Sequence, residues 1–204
     1  PFSAHWHARE PETGRIYTYR EVYGAGIKEM DQAKRIVAAS MVNGQPERIL
    51  YHVADPSVFT PRGSGSSIAD IWGKNGLVVQ KGNRDRLSGK ARVHDYLSIA
   101  ADGKPFWIIF GDKCPHLIRT LPELVLDETN PEDVDTRQED HAYDDCRYFL
   151  MSIQAPKRLG SSEIDEGNID ETSKKEWDFF RKMCKQLSSQ DYKALGSGIN
   201  DVKI

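Results

Sequence analysis

The chain has 204 residues, of which 38% are hydrophobic and 29% are charged, and its formal net charge is −3. This length is enough for one domain with a sizeable core. No run approaches the roughly 18 apolar residues of a membrane span, and the first residues lack the pattern of a signal peptide. Cys114, Cys146 and Cys184 contain no Cys-x-x-Cys pair, which argues against a disulfide framework or a zinc knuckle. We therefore expect an intracellular protein with free thiols and no contact with a membrane.

The first part of the chain predicts a β-hairpin, a helix and a buried strand. The hairpin is indicated by two alternating segments around a Pro/Gly-containing turn, and the helix by apolar residues at helical spacing. We take Asn43-Gly44 as the stop signal of that helix. The predicted elements are strands at 3–8 and 15–23, a helix at 29–43 and a strand at 49–54.

Helices and short strands alternate in the rest of the core. These elements are a short helix at 68–74, a strand at 77–80, a helix at 84–99, a strand at 106–110, a short helix at 115–121 and a helix from Asp140 to about Ile153. Strands followed by helices after a hairpin indicate an α/β fold, in which a mixed sheet is flanked by helices. We expect this domain to span 1–155, a Gly/Ser-rich linker to follow at 156–171, and a C-terminal helix and tail to occupy 172–204.

Three acids are candidate metal ligands. Asp140 and Asp144 are four residues apart at the start of a predicted helix, so they share one helix face with His141 beside them. Asp55 lies at the end of a predicted buried strand. Each feature alone also has a structural explanation, because acids favour the first helical turn and Asp-Pro-Ser opens turns. Their combination favours a site for a hard divalent cation.

Charge is strongly segregated along the chain. From Lys74 to Arg92 there are six basic residues and one acid, a net charge of +5, whereas Glu123 to Asp145 contains ten acids and one arginine, a net charge of −9. A basic segment that holds phosphates beside a metal-binding acidic centre would suit an enzyme that acts on a polyanion. A solvated helix face is the alternative explanation for the basic segment.

The order of these parts resembles the C-terminal nuclease domain of tailed-bacteriophage terminase large subunits. The resemblance covers most of residues 1–153, and its most specific part is the Asp-His-x-x-Asp-x-x-Arg-Tyr element that begins at Asp140. It implies an RNase H-like mixed sheet of five strands. The implied activity is a metal-dependent endonuclease that cuts concatemeric viral DNA during genome packaging.

The resemblance also implies roles for individual residues. Asp55 and Asp144 match the second and third catalytic aspartates and would bind Mg²⁺ or Mn²⁺, with two ions expected. His141 matches a histidine near the metals, and Asp140 would add a further ligand. We expect four basic residues to bind the DNA backbone: Lys81, Arg84, Arg86 and Lys90.

The implied partners are those of a DNA-packaging motor: double-stranded DNA, the portal protein, the small terminase subunit and an ATPase domain upstream in the same polypeptide. The implied location is the host cell cytoplasm, transiently at the procapsid portal. The chain itself contains no G-x-x-x-x-G-K-[ST] loop, so we expect no ATP hydrolysis by it.

Two departures from the family pattern leave alternatives open. The family's first catalytic aspartate precedes the hairpin, so we expect that acid and its central strand to lie upstream of Pro1. Asp145-Cys146 also replaces the small and apolar residues that usually follow the third aspartate. Another RNase H-like enzyme of the resolvase or transposase type, or a non-catalytic module that binds DNA or the portal, remains an alternative.

Overall fold

A computed structural model describes residues 1–63, 65–128 and 133–156 of this chain. Over these ranges the protein is a mixed α/β fold with a small mixed sheet and five α-helices. Apart from Pro156, the predicted linker at 156–171 and the predicted helix and tail at 172–204 lie outside the described residues. Over the same ranges, no helix has both the length and the apolar character that crossing a membrane requires.

The strands are β1 (Phe2–Arg9), β2 (Ile16–Gly24), β3 (Met41–Val42), β4 (Gln45–Pro46), β5 (Val53–Ala54), β6 (Gln80–Lys81) and β7 (Trp107–Ile109). The helices are α1 (Glu29–Ala39), α2 (Ile68–Lys74), α3 (Arg86–Leu97), α4 (Pro115–Thr120) and α5 (His141–Ser152). The order of helices and strands predicted from the sequence is confirmed, apart from the β3–β4 pair.

The predicted hairpin is confirmed and supplies two of the three strands of the main sheet, with β2 at its centre. β1 pairs with β2 in antiparallel orientation, with a register shift between Trp6 and His7, and β2 pairs with β7 in parallel. The indole of Trp107 on β7 donates a 2.7 Å hydrogen bond to the Thr18 hydroxyl on β2. This side-chain bond fixes β7 against the hairpin in the interior of the protein.

The first helix ends earlier than the sequence suggested. α1 stops at Ala39, and β3 and β4 then form a two-stranded antiparallel hairpin. Asn43 and Gly44 have φ values of 51° and 77°, the left-handed values that a tight hairpin turn requires. The prediction that Asn43-Gly44 ends a helix was therefore wrong, because this dipeptide is equally suited to a two-residue hairpin turn.

The expected five-stranded sheet is not found among the described residues. They contain the three-stranded sheet β1–β2–β7 and two separate pairs, β3–β4 and the parallel pair β5–β6. The strand predicted at 49–54 is only Val53–Ala54, and the one predicted at 77–80 is Gln80–Lys81. Helices cover the sheet as predicted, whereas the strands are fewer and shorter than the resemblance implied.

Alternation along β1 separates two layers of packing. Phe2, Ala4 and Trp6 pack with the residues of α1 and α2, while the intervening His5 and His7 face α5. On the α1–α2 side the buried cluster contains Trp6, Ala33, Ile36, Trp72 and Leu77. On the other side, α3, α4 and α5 enclose a larger cluster that includes Ile16, Tyr96, Trp107, Leu117, Tyr143 and Leu150. β1 therefore runs between two helical layers.

Candidate functional site

A cavity of about 500 Å³ lies between β1, the segment that contains β5, and α5. Asp55, His141 and Asp144, the three residues predicted to be catalytic, all line it. Asp55 comes from the end of β5, whereas the other two lie on the first turn of α5. Residues nearly 90 positions apart in the chain thus meet at one cavity because α5 packs across both β1 and β5.

Asp55 is positioned by the turn that follows β5. Its carboxylate accepts a 2.6 Å hydrogen bond from the backbone N–H of Ser57, which caps the 3₁₀ turn Pro56–Phe59. Tyr148 on α5 also faces it: burial, then the charge of Asp55, raises the pKa of that phenol. Asp55 therefore has a structural task as a cap, but its half-buried carboxylate also borders the cavity.

Gly82 allows this contact between α5 and the end of β5. A Cβ at Gly82 would lie 2.5 Å from Cδ1 of the Tyr148 ring. Real side chains do not approach so closely, so Tyr148 can reach the Asp55 turn only because residue 82 has no side chain.

Asp144 is held by two arginines. Nε of Arg147 donates to its carboxylate at 3.0 Å, and Nη1 of Arg86 lies 3.2 Å from its other oxygen. The side chain of Arg147 is only 1% exposed, while that of Asp144 retains 22% of its accessible surface. The two arginines therefore neutralise Asp144 on its protein side, while its other side is open to the cavity.

Arg86 was predicted to bind the DNA backbone, but its guanidinium is already paired with acids of the same chain. Its guanidinium lies among three carboxylates, 2.7 Å from Asp133, 3.2 Å from Asp144 and 4.0 Å from Asp140. These acids, with the hydrogen bond to Asp133 first, outweigh burial and raise the pKa of Arg86. The structure thus shows Arg86 joining the basic segment to the acidic segment of the same chain.

Asp140 and His141 flank this arginine network. Asp140 precedes the first residue of α5, and its side chain is only 8% exposed. Burial, followed by the charge of Asp144, raises the pKa of Asp140. His141 is more open, with Nδ1 3.9 Å from the Asp140 carboxylate. Asp140 does not line the cavity, and the guanidinium of Arg86 lies between its carboxylate and that of Asp144.

The position of Arg147 depends on a glycine in α3. A Cβ at Gly89 would lie 2.7 Å from Cδ and 3.0 Å from Nη1 of Arg147. The Arg147 guanidinium also lies over the Tyr148 ring at 4.5 Å, and its Nη1 has no hydrogen-bond partner among the described residues. Close packing of α3 against α5 therefore orients the buried Arg147 side chain toward Asp144.

Sequence reasoning missed a buried histidine beside the cavity. Nδ1 of His5 lies 2.6 Å from Asp145, and its Nε2 lies 3.0 Å from Glu21. Although burial opposes protonation, interactions with Cys146, Asp145 and Glu21 hold the pKa of His5 well above its usual value. Both ring nitrogens of His5 thus lie within hydrogen-bonding distance of a carboxyl group. The alternation of His5 and His7 with apolar residues of β1 could have placed it on the α5 side.

Glu21 is fixed from a third direction. Its carboxylate accepts backbone hydrogen bonds from Leu117 at 2.8 Å and His116 at 3.1 Å, at the start of α4. Burial opposes ionisation, but the His5 hydrogen bond and these two N–H groups lower the pKa of Glu21. The His5 network therefore ties β1, β2, α4 and α5 together beneath the cavity.

None of the predicted metal ligands Asp55, Asp140 and Asp144 belongs to the compact group of possible ligand atoms found among the described residues. Within the described ranges, the group of three His, Cys, Asp or Glu ligand atoms that lie within 4.8 Å of one another is His5, Asp145 and Cys146. The 2.6 Å separation of His5 and Asp145 is a hydrogen-bond distance. Asp55 and Asp144 supply the oxygen donors that Mg²⁺ and Mn²⁺ prefer, and their carboxylates border a cavity with room for an ion. Their chemistry therefore fits the predicted ions. An ion bound to Asp144 would compete with the Arg86 guanidinium for that carboxylate.

The other predicted DNA contacts lie near Asp55. Lys81 pairs with Ala54 in the β5–β6 ladder, so it is adjacent to the strand end that carries Asp55. Its ammonium lies 5.3 Å from the centre of the Phe59 ring. Lys81 and Arg84 are exposed, and Lys90 is half-buried on α3. A phosphate backbone could reach Lys81 and Arg84 without any change in the packing of the core.

Comparison with known proteins gives no relative to set beside this geometry. No family model, curated protein or solved structure matches the chain.

Proposed function

We propose that this protein is a divalent-metal-dependent endodeoxyribonuclease of the RNase H-like type, similar to the nuclease domain of a viral DNA-packaging terminase. The observation that carries the proposal is the meeting of Asp55 and Asp144 at one cavity, from a strand end and a helix start that are far apart in sequence. Carboxylates gathered in this way bind hard cations. The resemblance in motif order supports the same activity.

In this proposal each side chain has a distinct task. Asp55 and Asp144 would hold Mg²⁺ or Mn²⁺, two ions being expected by analogy, and a bound ion would supply Lewis-acid stabilisation of charge on a phosphodiester. Asp140 shares the Arg86 guanidinium with Asp144, and His141 is exposed enough to move a proton near the cavity. Lys81 and Arg84 would hold the DNA backbone by charge. A location at the procapsid portal, and the portal, small terminase subunit and upstream ATPase domain as partners, belong to the same proposal.

The first test is cleavage of supercoiled plasmid in Mn²⁺, in Mg²⁺ and in EDTA by this domain together with the upstream strand that the resemblance implies. We expect metal-dependent nicking that is lost in Asp144→Asn and in Asp55→Asn. Asp112→Asn removes an exposed acid that is paired with Lys113 in a loop, and it should cut like the wild type. Cutting that persists in EDTA, or in both Asp55→Asn and Asp144→Asn, would refute the assignment of these carboxylates.

A non-catalytic DNA-binding module is the second candidate. The observation that favours it is the pairing of Asp144 with both Arg86 and Arg147, which neutralises the carboxylate without any ion. In that case DNA binding would be insensitive to chelator, and no metal would produce nicks. Preference for branched DNA or for defined ends would instead favour a resolvase or transposase type of enzyme.

A further inference from the structure

A second group of possible metal ligands lies beside the cavity and has no part in the proposed phosphodiester chemistry. It consists of His5 on β1 and the consecutive residues Asp145 and Cys146 on α5. One ligand atom from each of the three lies within 4.8 Å of the other two. The side chain of His5 and the whole of Cys146 are buried. Burying ionisable groups together costs free energy unless each is paired, so packing alone does not account for this grouping.

The three donors are of the kinds that zinc prefers. Zn²⁺ is bound in proteins by imidazole nitrogen, thiolate sulfur and carboxylate oxygen, whereas Mg²⁺ and Mn²⁺ favour oxygen ligands. One thiolate and one carboxylate would balance the two positive charges of the ion, which leaves the buried site neutral. Asp145 and Cys146 are also the pair that departs from the family pattern, so the resemblance does not imply this site.

The spacing of the donors fits a tetrahedral ion after a small adjustment. Nδ1 of His5 lies 2.6 Å from the Asp145 carboxylate. Two ligands bonded to zinc at about 2.0–2.1 Å lie about 3.3 Å apart, so this pair has to separate by about 0.7 Å. The side chain of Asp145 retains 23% of its accessible surface and lines the cavity, which gives it room to move and gives an ion a way in.

The other ring nitrogen of His5 has the partner that a metal-binding histidine needs. Nε2 lies 3.0 Å from Glu21, which is directly opposite His5 on β2. The Glu21 carboxylate is itself held by the backbone N–H groups of His116 and Leu117. Histidines that bind metals almost always donate their second ring N–H to a carboxylate or a similar acceptor, which fixes the ring and its tautomer. Glu21 therefore leaves Nδ1 facing Asp145.

We propose that Nδ1 of His5, the carboxylate of Asp145 and Sγ of Cys146 form a binding site for Zn²⁺, with Glu21 as the positioning residue for His5. Three protein ligands leave a fourth position for water, on the side where His5 and Asp145 line the cavity. Coordination releases to solvent the thiol proton of Cys146 and the proton between Nδ1 and Asp145. The site is separate from the Asp55 and Asp144 carboxylates and does not rest on the proposed nuclease activity.

The test uses the full chain, freed of metal and titrated with Co²⁺, which adopts the geometry of zinc sites and reports its ligands by absorption. We expect one Co²⁺ per chain and the near-ultraviolet band of a cobalt–thiolate bond. Equimolar Zn²⁺ should abolish the band, whereas excess Mg²⁺ should not, because Mg²⁺ prefers oxygen ligands. Asp55→Asn should leave the band and the Co²⁺ affinity unchanged.

Three single cysteine variants assign the sulfur. Cys146→Ser should lose the thiolate band and weaken Co²⁺ binding at least about tenfold. Cys114→Ser makes the same change at another buried cysteine, which is outside the ligand group, and should keep both the band and the affinity. Cys184→Ser, at the third cysteine of the chain, should also keep both. Circular dichroism of each variant checks that the fold is retained.

Two further variants address the carboxylates. Asp145→Asn should weaken Co²⁺ binding at least about tenfold but retain the thiolate band, because the sulfur is still present. Glu21→Gln should weaken binding about tenfold and shift the visible absorption of bound Co²⁺, because the imidazole becomes a weaker ligand. That spectral shift distinguishes a positioning role from a general loss of stability.

Absence of the thiolate band in the wild type, a band that survives Cys146→Ser, or full affinity in Asp145→Asn would overturn the inference. X-ray absorption of the zinc-loaded wild type tests it without any variant. One sulfur ligand at about 2.3 Å beside nitrogen and oxygen ligands is expected, and a shell without sulfur would overturn it. Absence of plasmid nicking together with intact Co²⁺ binding would refute the proposed function and leave this site standing.

Discussion

Arg86 and Asp144 form an ion pair at 3.2 Å that joins the first turn of α3 to the first turn of α5 at the edge of the cavity. The arginine also lies near Asp133 and Asp140, so it provides positive charge where a divalent ion would have to compete. On the proposed function, a divalent ion at Asp144 would therefore compete with the Arg86 guanidinium.

Arg86→Met should strengthen Mn²⁺ binding by about tenfold, because it removes a competing charge a few ångströms from Asp144. The same change should lower stability in EDTA, since three carboxylates lose their shared partner. Mn²⁺ titration followed by electron paramagnetic resonance gives the affinity, and thermal unfolding gives the stability.

Arg62→Met is the matched control for this prediction. Arg62 also lines the cavity, but it pairs with Glu29 on α1 at 3.2 Å and is largely exposed. It should change Mn²⁺ affinity little. Unchanged or weaker Mn²⁺ binding by Arg86→Met would mean that the ion, if it binds, does not share Asp144 with this arginine.

Gly89→Ala should destabilise the protein by about 1–3 kcal/mol, the usual cost of inserting a methyl group into packed surroundings. The new Cβ would lie 2.7 Å from Cδ of Arg147, whose side chain is only 1% exposed. Urea unfolding followed by circular dichroism measures the change in the free energy of unfolding.

Gly73→Ala provides the comparison, because it lies in α2 with nothing within 4 Å of an added Cβ. There the greater helix propensity of alanine should stabilise by up to about 1 kcal/mol. Equal effects of the two substitutions would show that α3 does not pack on Arg147 as described.

Glu139 should make stability depend on acid pH. The hydrogen bond from Arg119, then that from Tyr23, lowers the pKa of Glu139 from 4.5 to about 2. A group whose pKa is lowered in the folded state contributes stability above its unfolded pKa, and this contribution is lost as the pH falls through the folded value. The contribution of Glu139 is therefore complete above pH 4.5 and disappears by about pH 2.

Glu139→Gln should accordingly be less stable than the wild type at pH 6, and the difference should vanish near pH 2. Urea unfolding at several pH values checks this. Glu12→Gln, in the exposed turn of the hairpin, serves as the charge-matched control. A difference that stays constant from pH 6 to pH 2 would exclude a titrating ion pair.

Lys81→Ala combined with Arg84→Ala should weaken DNA binding and reduce its dependence on salt. If each side chain contacts one phosphate, the slope of log affinity against log salt should become less steep by about 2. Fluorescence anisotropy at several salt concentrations measures the slope. Lys34→Ala with Arg35→Ala removes the same charge from exposed positions of α1 and should leave it unchanged.

Local patterns in the sequence were sufficient to predict most helices and strands, but they were ambiguous for the short ones. The alternation around residues 10–14 predicted the hairpin, and apolar spacing predicted α3 and α5. Asn43-Gly44 was misinterpreted because the dipeptide suits both a helix end and a hairpin turn, and only the pairing of Met41 with Pro46 distinguishes them. The strand at 49–54 was overestimated because an apolar run does not show where a partner strand begins and ends.

The sequence by itself determined the α/β character, the presence of flanking helices and the positions of Asp55 and Asp144 at the ends of their elements, because these depend on period and local turn chemistry. Tertiary structure alone decided that the two carboxylates share a cavity, that Arg86 lies among acids rather than in the solvent, and that His5 lies between Asp145 and Glu21. Each of these depends on contacts between residues 16 to 140 positions apart, and a periodic pattern carries no information about which distant partner a side chain will meet.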